Sequence, residues 1–259
     1  MSRHVVSRTG QVGQQVVEQL TAAGHDVTAA PRVTSPASAR VAAASLGLAS
    51  LLAIAGFTVL GTVFEYPQIL EQPTGDVLAL FRENRTAVTS WFLVLVLSAA
   101  LMAPAGVYLG RMTGDALGRW IAGGGIAAAT VQAIGLQRWV TLVPGIAQDA
   151  LDPVRRADAE ARFELWHTLL GKVIGETVGY ALTATFTVLV VLALRRSVMP
   201  TWVALIGYAA AVLIATGIVV PVVPAASVTN FAGYVAWCLW LLVVAGLLLR
   251  SSRVRPGAR

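Results

Sequence analysis

Residues 86–110, TAVTSWFLVLVLSAALMAPAGVYLG, run for 25 positions without a charged side chain. At ~1.5 Å per residue, a helix of that length crosses the ~30 Å hydrocarbon core of a bilayer. Working outward, residues 41–64 give a second uncharged run of 24, and residues 120–137 one of 18. Residues 177–194 add a further 18, extendable back toward Leu169. Residues 197–249 are uncharged for 53 positions, too many for one crossing. Pro221, Pro224 and the polar SVTN at 227–230 predict a hairpin in the middle of that run. The expected fold is an all-α membrane protein, a six-transmembrane-helix bundle over residues 41–250, followed by a basic tail at 251–259.

Composition agrees. The 259 residues are 56% hydrophobic and only 12% charged, against about 25% charged in soluble domains. A formal charge of +6 would suggest nucleic acid in a soluble protein, but here the placement of the charges decides. Six spans leave both termini on one side. Twelve of the 19 Lys and Arg then share that side, among them Arg40, Arg111, Arg119, Arg195, Arg196, Arg250 and Arg253. By the positive-inside bias this predicts a plasma-membrane protein with both termini cytoplasmic. The bilayer is the expected partner and nucleic acid is not. The first 40 residues hold no apolar core of signal-peptide length, so no cleavable leader is expected. The single cysteine, Cys238, cannot form an intramolecular disulfide.

Residues 1–32, MSRHVVSRTGQVGQQVVEQLTAAGHDVTAAPR, read differently. HVVS predicts a short strand, TGQVG a turn, QQVVEQLTAAG an amphipathic helix and HDVTA a second strand, a short βαβ-like fragment. The stretch from Ser7 to Gly13 resembles the first turn of the NmrA-like NAD(P)-binding group, GATGxxG, with Gly10 and Gly13 kept and Ser7 in place of the first glycine. That resemblance implies cofactor contacts at Gly10 and Gly13, and at Arg32, where such proteins often hold a basic residue for a 2′-phosphate. A dinucleotide site needs several parallel strands, and this chain enters the membrane after two. The fragment is therefore expected to be a non-binding remnant, with no cofactor, joined through a linker at 33–40 to the first span.

Polar residues near the membrane are few. Arg138 lies 19 residues from Arg119, and Glu176 lies 19 from Arg195, roughly 28 Å along a helix in each case. Both should sit near the outer boundary, where they could meet as an ion pair. Lys172, one turn outward of Glu176, offers a second partner. Tyr180 is one turn deeper, Gln132 lies at comparable depth, and His167, Glu164, Glu65, Tyr66, Asn230 and Tyr234 gather at the same level. Two accounts fit: an interfacial belt with one structural salt bridge, or a shallow outer pocket with Gln132, Arg138, His167, Lys172, Glu176 and Tyr180 as ligand contacts. Asp152 followed by Pro153 predicts a helix start, with Arg156–Glu160 and Asp158–Arg162 as four-residue ion pairs. Gly106, Gly110, Gly114 and Gly118, and then Gly171, Gly175 and Gly179, recur every fourth residue and predict close helix packing, while Gly123–Gly125 could form a hinge.

No catalytic residue is assigned. His4, His25 and His167 are the only histidines, without metal-ligand spacing, and no nucleophile elbow occurs. With the spans in place, residues 41–250 resemble a prokaryotic family known as domain of unknown function 4386. FEYP and its acidic outer loop, QRW near the end of the third span, and FELWHTLLGKVIGETVGYALTATFTVLVVLAL carry the likeness, most of all GETVGY at 175–180. It implies a multi-pass membrane protein without implying an activity. Four functions remain in play: binding a lipid-like or small amphipathic ligand in the outer pocket, small-solute transport, a structural or partner-binding role, and, least favoured, an NAD(P)-dependent oxidoreductase.

Overall fold

The computed structural model describes residues 3–6, 19–23, 26–29, 36–114 and 116–253. Six helices long and apolar enough to cross a membrane cover Pro36–Val63, Arg85–Thr113, Ala116–Asp149, Arg156–Leu194, Thr201–Val219 and Ala226–Arg253, spans one to six. The chain is a multi-pass membrane protein. Each span packs against its neighbours in sequence, and span six returns to pack on span one, closing a ring. Six crossings bring the two ends of the bundle to one face; the other is called distal.

Proline explains two breaks. Pro104 lacks an N–H and crowds the carbonyl four residues back; span two accordingly stops as a helix at Ala100 and resumes at Met102. Pro144 does the same to span three, which breaks after Thr141 and continues as Val143–Asp149. At 34 and 39 residues, spans three and four are roughly 50 and 60 Å long, well beyond the hydrocarbon. Their distal ends join a short 3-10 turn, Gln68–Glu71, and the helix Thr74–Glu83 to form a cap.

The bundle has two buried clusters. The one nearer the termini is rich in alanine and closes by backbone approach. A Cβ on Gly106 would lie 2.9 Å from the Cα of Gly125, and one on Gly110 would collide with the Gly118 carbonyl. The glycine repeat therefore does not continue from span two into a loop. It folds back at Gly114, left-handed at φ 71°, so that its last member belongs to span three. Gly123–Gly125 lie inside one continuous helix, with Gly125 against Gly106. The distal cluster is aromatic, gathering Phe64, Phe81, Phe92, Trp139 and Phe163.

Several local expectations change. The helix after the distal loop starts at Arg156, not at Asp152. Asp152 Oδ1 instead accepts the Val154 N–H at 2.9 Å, and its other oxygen accepts from Arg155, forming a turn of the kind aspartate favours. Both hydrogen bonds hold the Asp152 carboxyl below the usual aspartate range, the Val154 amide most strongly. Asp158 pairs with Arg162 at 3.1 Å as expected, whereas Arg156 turns to the Ala150 carbonyl rather than to Glu160.

Ahead of the bundle, strands β1 (Arg3–Val6) and β2 (Asp26–Ala29) pair in parallel, Arg3 opposite Asp26. Gly10, Gly13 and Arg32 lie outside the described residues.

Candidate functional site

The middle of span four is wound differently from the rest. His167–Val178, which ends within the GETVGY stretch, is a π-helix, with α-helix before and after it. Thr177 Oγ1 donates to the Lys172 carbonyl five residues back, at 2.9 Å. π turns occur mostly as short bulges at functional sites; this one extends over 12 residues. Nothing in the apolar pattern signals it.

The glycines of this segment face span three. A Cβ on Gly135 would come 2.7 Å from the Cα of Gly175, and one on Gly171 would meet the Arg138 guanidinium at 2.8 Å. Gly171 thus leaves room for a cation to lie flat against span four. Arg138 is only 4% exposed, its side chain packed inside the protein. One Nη donates to the Gly135 carbonyl, the other lies 3.5 Å from His167 Nδ1, and Nε has no hydrogen-bond partner among the described residues. Its Cζ also lies 5.3 Å from the centre of the Trp139 ring.

The expected Arg138–Glu176 and Lys172–Glu176 ion pairs do not form. Arg138 is directed along its own helix and toward His167 instead. Glu176 is half-buried and Lys172 is exposed. Tyr66 lies within the field of both Arg138 and Glu176. Burial pushes its phenol up to about 12, with the Arg138 guanidinium pulling it down and the Glu176 carboxylate adding a smaller push upward. Tyr66 follows Glu65, which adopts a left-handed backbone at φ 53°. Its ring packs edge-on to Phe92 at 5.2 Å.

Five of the six expected contact residues separate into two groups, and Glu176 joins neither. His167 and Lys172 line a cavity of about 260 Å³ under the cap, together with Gln72, Thr74, Glu164 and Thr168. Thr74 Oγ1 donates to Glu164 at 3.0 Å, tying the cap helix to span four. Phe163 stacks on the His167 ring at 5.5 Å with 2° between planes. Arg138 stands behind His167. Deeper in the bundle, Gln132 donates to Thr183 Oγ1 at 2.6 Å and to Tyr234 Oη at 3.4 Å, and Tyr180 packs against Tyr234 with ring centres 5.6 Å apart. Thr183, Tyr234 and Thr74 complete these groups. The helical period could place each on a face, but no residue pattern linked the faces of separate spans.

Among the described residues there is no group of three or more His, Cys, Asp and Glu able to hold a metal ion. Cys238 is buried, its carbonyl accepting from Ser50 Oγ at 2.7 Å.

Together, the ring of apolar helices and the polar groups at its distal end define an all-helical, multi-pass membrane protein. The chain belongs to the family described as domain of unknown function (DUF4386), which matches residues 41–245. No curated protein and no solved structure matches it. The family match begins after the strands, and the nucleotide-fold resemblance of residues 1–32 gains no support from it.

Proposed function

We propose that this protein binds a lipid-like or small amphipathic molecule at the distal end of span four. The observation that carries the reading is the cavity under the cap, where polar and apolar surfaces adjoin. His167, Lys172 and Thr168 line it, while Leu165, Leu169 and Val173, spaced four apart, are 60, 42 and 47% exposed. A polar head fits the cavity, and an acyl chain has an apolar strip beside it. The volume of about 260 Å³ lies just under the ~300–1,000 Å³ of small-molecule sites, a size suited to a head group. Gln132 and Tyr180 belong to the separate polar group deeper in the bundle, and Arg138 supports His167 from behind.

The arginines at the span ends favour this cavity facing the outer side of a prokaryotic plasma membrane, with both termini in the cytoplasm. The amino-terminal fragment takes no part. Native mass spectrometry of the full-length protein, released from membranes in mild detergent, tests the reading. A retained amphiphile, held less well by Lys172→Gln, is the expected result. A bare protein mass that adds no amphiphile on titration would overturn it.

A further inference from the structure

The chemical class of the ligand can be narrowed, granting that amphipathic-ligand reading. An arginine guanidinium has only donors. The 3.5 Å approach of Arg138 Nη2 to His167 Nδ1 therefore makes Nδ1 the acceptor and puts the ring proton on Nε2. His167 is 7% exposed, its plane is fixed by Phe163, and its Nε2 has no hydrogen-bond partner among the described residues. A buried donor without a partner costs about 1–3 kcal/mol, and this one belongs to a residue lining a cavity. Lys172 and Thr168 line the same cavity. Glu164, which also lines it, already accepts from Thr74.

From this geometry we infer that the cavity receives an oxyanion, a phosphate or carboxylate head group, which accepts from His167 Nε2–H and is countered by Lys172. Arg138 is a positioning residue, setting which imidazole nitrogen carries the proton. An oxyanion matches this set because it supplies acceptors and negative charge together.

The test uses full-length protein in a neutral detergent, titrated with decyl phosphate, decyltrimethylammonium and inorganic phosphate, with bound species counted by native mass spectrometry. Decyl phosphate should bind in preference to the cation. His167→Asn retains an acceptor for Arg138 but withdraws the Nε2 donor, and should weaken decyl phosphate by about tenfold or more. His167→Gln places an amide N–H near the Nε2 position and should stay within about threefold. Lys172→Gln, at an exposed position that does not threaten folding, should cost about threefold to tenfold, less in high salt.

Displacement of decyl phosphate by inorganic phosphate would support a free oxyanion as the natural source, and failure to displace it a lipid head group; either supports the shared chemistry. Equal binding of the cation, with all three variants unchanged, would overturn the oxyanion while leaving the amphipathic pocket standing. Binding of neither amphiphile would overturn both.

Discussion

The two buried clusters solve the packing problem in opposite ways. Near the termini, spans approach until backbones touch, Gly106 against Gly125 and Gly110 against Gly118. Lipid tails are as apolar as leucine, so helices there gain most from contact area, which small residues maximise. At the distal end the core is built from rings, with backbone contact where Gly135 meets Gly175. Trp139 is fully buried, 5.0 Å from Phe92, 5.1 Å from Phe64 and 5.8 Å from Phe163. The cavity under the cap borders this aromatic group through Phe163. Arg138 and His167 lie at the edge of that aromatic group.

The largest expected effect breaks the aromatic end. Trp139→Ala should destabilise the protein by about 3–5 kcal/mol, with hydrogen exchange rising first in residues 68–83 and 143–166. Because its indole nitrogen has no hydrogen-bond partner among the described residues, Trp139→Phe should retain most of that stability. Equal loss with both substitutions would show that the second ring of the indole, which Phe lacks, carries the packing. Gly106→Leu attacks the other end, where there is no space for a Cβ. It should cost about 3 kcal/mol and raise exchange in spans two and three while leaving the cap protected. A uniform rise in either experiment would show that the two clusters unfold as one.

Arg138→Met probes the boundary between them. A buried cation with an unpaired Nε stabilises little, so thermal stability should change by no more than about 1 kcal/mol. The His167 ring would meanwhile lose the donor that sets which of its nitrogens carries the proton. A large destabilisation would recast Arg138 as structural. Glu65→Gly should stabilise by about 0.5–1 kcal/mol, since glycine adopts φ 53° without strain; chemical denaturation reads this directly. The smallest effect is acid loosening of the distal loop. The Asp152 carboxyl titrates below the usual aspartate range because of its hydrogen bonds to Val154 and Arg155. Its stabilisation is present above the unfolded pKa and is lost as pH falls through the lowered folded value. Exchange at residues 150–156 should therefore rise under acid before the spans respond.

The termini-side cluster was largely legible in the sequence, because charge-free runs mark spans and glycines four apart mark faces that touch. The aromatic cluster was not. Phe64, Phe81, Phe92, Trp139 and Phe163 come from five separate helices and loops, and nothing local ties Phe64 to Trp139. The ion pair foreseen between Arg138 and Glu176 rested on depth alone. Depth is readable from residue count, but rotation about the helix axis is not, least of all beside a segment whose turns hold an unexpected number of residues. His167, Lys172 and Arg138 were named from their chemistry, and their grouping under a cap needed the extended spans three and four.

That π segment sets a phase. Each residue added to or removed from a helix rotates the remainder of the rod by about 100°, and His167–Val178 stands between its cap-facing and membrane-facing parts. A single deletion there could be absorbed by closing a π turn into an α turn, sparing the thread of the chain through the bilayer. A deletion not absorbed in this way would swing the Phe163–His167 face away from the cap. Across related sequences, then, the number of residues between the histidine and GETVGY acts as an angular dial, and lineages that keep the cavity are expected to leave that number unchanged.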